Sequence, residues 1–96
     1  MDLYVIRRAA SWASPQELEA TAAKSAKIGE EEMADQVRWI RSYVVEEPDG
    51  KLGTVCIYEA RDQASIREHA RRVGMPGDAI LPILKTVVVR PDPATA

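Results

Sequence analysis

Cysteine and histidine are nearly missing from this chain: Cys56 and His69 are the sole examples of each. A lone cysteine excludes an internal disulfide framework and any Cys-x-x-Cys pair, so a reducing, cytoplasmic compartment is expected. With one thiol and one imidazole, no metal site or catalytic triad of familiar spacing can be written from a single chain. Charge of one sign is missing too. Thirteen Lys and Arg against fifteen Asp and Glu leave a net charge of -2, which provides no basic footprint for nucleic acid or a membrane surface and no acidic tail. The N-terminal MDLYVIRRAA carries an acid at position 2 and only a short apolar run, so neither a signal peptide nor a membrane span is expected. The chain holds no GxGxxG, Walker A, HExxH, GxSxG or EF-hand pattern, no sequence repeat and no low-complexity tract.

What is present describes one ordinary globular domain: 96 residues, 46% hydrophobic and 29% charged. A chain this short buries only about two-thirds of its surface, which leaves a thin core and favours pairing with a second copy. Residues 1–90 are expected to form the domain, and the proline-rich residues 91–96 a frayed tail.

Leu3 to Arg8 is β-prone and predicts the first strand. Ser14-Pro15-Gln16-Glu17 is a capping box with proline at the first helical position. In it the Ser14 hydroxyl accepts from the Glu17 N–H, and the Glu17 carboxylate reaches back to the Ser14 N–H. The helix it opens carries Leu18, Ala22, Ser25, Ala26, Gly29 and Met33 on one face, a mostly small stripe suited to close packing on a sheet. Glu30-Glu31-Glu32 opposes the helix dipole, so the helix stops near Gly29 or those carboxylates fan into solvent. Val37 to Val45 and Leu52 to Ala60, around Glu47-Pro48-Asp49-Gly50, predict a β-hairpin. Asp62 caps a second helix with Ile66, Ala70 and Val73 at core spacing, Arg71 and Arg72 in its last turn, and Gly74 at its left-handed end. Ile80 to Val89 completes the set, with Pro82 indicating an edge strand. The order β-α-β-β-α-β predicts a ferredoxin-like α+β sandwich: a four-stranded antiparallel sheet with both helices on one face and the first and third strands central.

The hairpin's period of two sorts its side chains. With the turn between Pro48 and Asp49, Val45 faces Leu52, Tyr43 faces Thr54, Arg41 faces Cys56 and Trp39 faces Tyr58. Ile40, Ser42, Val44, Val55 and Ile57 then form the helix side. Trp39, Arg41, Tyr43, Thr54, Cys56 and Tyr58, with Tyr4, Ile6 and Arg8 from the first strand, form the open side. An uncovered aromatic sheet face meets a partner or a ligand, so Tyr4, Trp39, Arg41, Tyr43 and Tyr58 are the candidate ligand or interface residues. Face-to-face pairing of two such sheets is the simplest way to cover them.

Cys56 reads first as a small buried hydrophobe, and second as a soft-metal ligand or nucleophile. An arginine opposite it favours the thiolate and repels a metal ion. His69 lies at the edge of the second helix's apolar stripe, the ordinary place for a structural histidine, and the expected faces keep it from Cys56 within one subunit. Glu59 is expected on the helix side, paired with Arg38.

Val37-Arg38-Trp39-Ile40-Arg41-Ser42-Tyr43-Val44, Cys56-Ile57-Tyr58-Glu59-Ala60, Ile66-Arg67-Glu68-His69-Ala70, Gly74-Met75-Pro76 and the Leu3-Tyr4-Val5-Ile6 strand together resemble the small nickel-binding ferredoxin-like proteins. That family was long catalogued as a domain of unknown function. The resemblance implies a symmetric dimer with nickel or another divalent transition metal at or near the interface, and carries over Ser42, Tyr43, Cys56, Tyr58, Glu59 and His69. It makes Cys56 and His69 the candidate metal ligands. Two positions depart from the pattern: Arg41 stands where the family commonly has histidine, and Arg7 where it has an acid.

Three readings follow. The first is a non-enzymatic homodimer binding a metal or small ligand. The second is a small enzyme of the dimeric α+β barrel kind (isomerase, lyase or cofactor-free oxygenase), in which Arg8, Arg41, Tyr43 and Tyr58 orient an anionic or aromatic substrate in an enclosed cavity. The third is a purely structural dimer module.

Overall fold

Six elements follow one another in the computed structural model, which describes residues 1–77 and 79–94. They are β1 (Asp2–Trp12), α1 (Pro15–Glu31), β2 (Val37–Glu46), β3 (Leu52–Ala60), α2 (Gln63–Val73) and β4 (Ala79–Pro82). The strands form one antiparallel sheet in the order β2-β3-β1-β4, so β1 and β3 are central and β2 and β4 are edges, the ferredoxin-like arrangement. Among the described residues no helix is long and apolar enough to cross a membrane.

Local chemistry places most boundaries. The Ser14 hydroxyl accepts from the Glu17 N–H at 3.3 Å, while the Glu17 carboxylate reaches one residue further back than a capping box requires, to the Ala13 N–H at 2.7 Å. α1 runs through Glu31, its last carboxylates exposed to solvent rather than terminating it at Gly29. Asp62 accepts from the Ser65 N–H at 2.8 Å to start α2, and Gly74 ends it at φ 88°, a left-handed conformation that glycine adopts without a Cβ clash. In the hairpin turn the Gly50 N–H donates to the Glu47 carbonyl at 2.9 Å.

Four expectations need correction. β1 extends past Arg8 to Trp12, through a register irregularity with Ala10 at φ 49°. β4 ends at Pro82 instead of reaching Val89; the chain beyond leaves the sheet after one bond, Ile83 N–H to the Leu3 carbonyl at 2.9 Å. The tail is tied at one point: the Tyr43 hydroxyl donates to the Asp92 carboxylate at 2.8 Å, and Arg41 approaches it at 3.4 Å. Thr95 and Ala96, the end of the segment expected to fray, lie outside the described residues.

The fourth correction is the largest: the two faces of the sheet are exchanged. Tyr4, Ile6, Val37, Cys56, Tyr58 and Ile80 pack with Ile28 of α1, with Met33 just beyond its end, and with Ile66 and Val73 of α2, so the tyrosine-plus-thiol side of the central strands lies beneath the helices. Leu3, Val5, Arg7, Val55, Ile57 and Glu59 point to the open side. The cause is volume. The small stripe of α1 (Ala22, Ser25, Ala26, Gly29) leaves room that the larger side chains fill, Tyr58 and Arg8 among them at 2% and 1% exposure. Register also shifts. Trp39 does face Tyr58, but Ile40 is an unpaired bulge residue, after which Arg41 faces Ile57, Ser42 faces Cys56 and Tyr43 faces Val55. Trp39 and Ser42 therefore share the helix side, and Arg41 and Tyr43 the open one.

Candidate functional site

Three ladder rows cross the helix side of the sheet: Trp39–Tyr58–Tyr4, Ser42–Cys56–Ile6–Ile80, and Val44–Thr54–Arg8. The outer part of these rows and α1 line a half-open cavity of about 530 Å3, within the ordinary range for a small-ligand pocket. Its walls are mainly carbon, with Trp12, Leu18, Trp39, Val44 and Met75 contributing, and the exposed Glu19 and Arg41 also border it.

Arg8 is the decisive polar group. Strand alternation points it beneath α1, where it is buried. Its Nε donates to the Pro76 carbonyl at 2.6 Å and its Nη1 to the Cys56 sulfur at 3.3 Å, but among the described residues Nη2 has no partner. Among the described residues no carboxylate pairs with this cation. A buried donor left idle costs about 1–3 kcal/mol, more when it is charged. Arg7, one residue away, shows the contrast: its guanidinium faces the open side and meets Glu47 bidentately at 2.7 and 2.9 Å.

The remaining polar atoms gather around the thiol. Ser42 donates to the Cys56 sulfur at 3.0 Å, and Cys56 to the Thr54 hydroxyl at 3.4 Å. The Trp39 indole N–H donates to Ser42 at 2.7 Å, which fixes the ring as it stacks on Tyr58 with centroids 6.2 Å apart and planes 7° from parallel. Trp12 is pinned likewise, its N–H donating to Thr21 at 3.0 Å. The Tyr58 hydroxyl meets Ser25 at 3.3 Å; burial pushes its ionisation above the ordinary phenol value, partly offset by that hydrogen bond.

His69 belongs to a second cavity, of about 350 Å3, which shares Ser25, Trp39 and Tyr58 with the first. Its Nε2 lies 3.1 Å from the Ser25 carbonyl, an acceptor only, so Nε2 carries the proton and Nδ1 keeps a buried lone pair without a donor. Burial, followed at some remove by the positive charges of Arg8 and Arg72, holds its pKa below the ordinary imidazole value against that hydrogen bond.

The candidate residues thus divide. Tyr4, Tyr58 and Cys56 lie under the helices, not on the open face; Trp39 is on the same side of the sheet but 38% exposed on the edge strand, and Trp39, Tyr58 and Cys56 line the main cavity. Tyr43 and Arg41 belong to the open face of β2, where Asp92 meets both. Glu59 pairs with Arg38 at 3.3 Å as expected, but on the open side. Trp12 was missed, because β1 was ended at Arg8; continuing its period of two through positions 10 and 12 would have reached it.

The donors present in one subunit do not fit a divalent metal ion. Cys56 and His69 share the helix side yet line different cavities, and among the described residues no group of three or more His, Cys, Asp or Glu could hold a metal. A guanidinium already donates to the Cys56 sulfur and repels a second cation there.

No curated protein matches the chain. Among solved structures it is similar to the crystal structure of SCO4226 from Streptomyces coelicolor A3(2), at 12% identity over 88% of this chain and 99% of that one, with a TM-score of 0.69. That likeness is one of fold. Residues 4–83 match the family model described as nickel responsive protein SCO4226-like, and the chain belongs to that family.

Proposed function

We propose that this protein is a non-catalytic binding domain for a small organic anion with an apolar, flat body, held in the cavity between α1 and the sheet. One observation carries the reading: Arg8, buried and with its Nη2 unpartnered among the described residues, is one of the residues lining a largely apolar cavity of about 530 Å3. A carboxylate on Nη2 forms a charge-assisted hydrogen bond, while the two tryptophans offer ring faces to the rest of the ligand. An inorganic anion would leave those apolar walls wet. Binding is favoured over turnover because, among the described residues, the lining contains no histidine and one carboxylate, the exposed Glu19.

The test is thermal denaturation with benzoate and its uncharged counterpart benzamide. A ligand at a hundredfold excess over its dissociation constant stabilises by about 2.7 kcal/mol. Benzoate is expected to raise Tm and benzamide to leave it unchanged, with the benzoate effect lost in Arg8→Met. Equal shifts from the two compounds, or none from benzoate, cinnamate and indole-3-acetate alike, would overturn the reading.

Nickel binding is the second reading, supported by the family's description. Stabilisation by nickel chloride that disappears in Cys56→Ala would favour it over the anion reading. We further propose that the protein works as a homodimer through the open sheet face. Support comes from the rows Leu81–Val5–Ile57–Arg41 and Ala79–Arg7–Val55–Tyr43, which no helix covers. That face carries neither Cys56 nor His69, so an interface metal and this dimer are separate matters.

A further inference from the structure

The cavity's cation and its sulfur are in contact, and that contact has a chemical consequence. We propose that Cys56 is a covalent modification site for small organic acids carrying an electrophilic carbon, with Arg8 holding the acid group while the sulfur attacks the carbon. The inference rests on reading the cavity as an anion site and adds reactivity to it.

Two arms of one guanidinium do different things. Nη1 donates to the Cys56 sulfur at 3.3 Å, and Nη2 of the same cavity-lining residue is buried and unpartnered among the described residues. A carboxylate seated on Nη2 therefore brings its neighbouring carbons to the sulfur's side of the pocket. The Ser42 hydroxyl, donating to the sulfur at 3.0 Å, steadies negative charge as it develops there. Cys56 is 5% exposed, so a reagent reaches it through the cavity rather than from bulk solvent. An uncharged electrophile receives no help from Arg8.

For an α,β-unsaturated carboxylate the step is an addition. The sulfur–carbon bond forms at the β carbon, the π electron pair moves to the α carbon, and that carbon takes up a proton to replace the one the thiol releases. Nothing else is consumed. For a haloacetate the sulfur–carbon bond forms as the carbon–halogen bond breaks, with halide leaving and the thiol proton passing to water.

The experiment compares alkylation of the full chain by iodoacetate and by iodoacetamide, followed by intact mass. Cys56 is the one thiol in the sequence, so the adduct reports on a single site. The rate ratio of iodoacetate to iodoacetamide is expected to exceed that of free cysteine by about tenfold, the scale of one charge-assisted hydrogen bond. Arg8→Met is expected to return the ratio to the free-cysteine value. Should that variant fail to fold, benzoate and benzamide on the wild-type chain replace it: protection of Cys56 against iodoacetate by benzoate but not by benzamide supports the proposal, and equal or no protection counts against it. A wild-type ratio at or below that of free cysteine overturns it. If benzoate still raises Tm in that case, the anion site stands and only the modification falls; if benzoate has no effect either, both fall.

Discussion

Replacing Arg8 by methionine separates a residue kept for binding from one kept for folding. The substitution preserves an unbranched apolar stem and removes the guanidinium. It loses the 2.6 Å bond to the Pro76 carbonyl and the 3.3 Å bond to the Cys56 sulfur. The first, a hydrogen bond from a charged donor, contributes about 1.5–3 kcal/mol, and the second less. Against this, removing a buried cation with no carboxylate partner relieves a desolvation cost of several kcal/mol. The two nearly cancel, so the ligand-free variant should lie within about 1–2 kcal/mol of wild type, on either side. Urea denaturation at fixed protein concentration measures this, the fixed concentration excluding any contribution from association. Adding benzoate should then separate the two proteins, stabilising wild type alone. A ligand-free loss above about 3 kcal/mol, the range seen when a structural buried pair is broken, together with an unchanged benzoate response, would refute the reasoning.

Gly53→Ala should destabilise by about 1–3 kcal/mol in urea, because an added Cβ would stand 2.8 Å from the Arg8 carbonyl and 2.7 Å from the Arg7 guanidinium; an unchanged midpoint would contradict the close approach of the two central strands. His69 is buried with a depressed pKa, so the unfolded chain binds its proton first. Its contribution is complete above the unfolded value of about 6.5 and is lost as pH falls through the lower folded value. His69→Gln should flatten the fall in stability between about pH 7 and about pH 5, and a parallel pH profile would argue against a neutral buried imidazole. If the proposed homodimer forms through the open face, Ile57→Asp there should leave a folded monomer in light scattering; a dimer that persists would place the interface elsewhere, and a monomeric wild type would refute the dimer.

Element order was legible in the sequence because its determinants are local. Ser14, Asp62 and Gly74 cap helices through bonds spanning four residues or fewer, and Gly50 turns the hairpin within its own loop. The faces were not legible, because β3 is apolar on both: Val55 and Ile57 on one side, Cys56 and Tyr58 on the other. What decides between them is non-local, the small stripe of α1 that admits large side chains from the sheet. The bulge at Ile40 has no signature in the residue types around it, yet it exchanges Arg41 for Ser42 opposite Cys56. Arg8 was named as a substrate-orienting group in the barrel-type reading, but its idle donor depends on partners as distant as Pro76 and Cys56. The resemblance to the nickel-binding family agrees with the family match.

The claim on which the rest depends is that the cavity wall beneath α1 presents an unsatisfied cation to an organic anion. A crystal structure grown with benzoate tests it most directly. The account predicts a carboxylate oxygen within hydrogen-bonding distance of Arg8 Nη2 and the ring between Trp12 and Trp39. An empty cavity at saturating benzoate, or a ring seated there with its carboxylate turned away from Arg8, would contradict it.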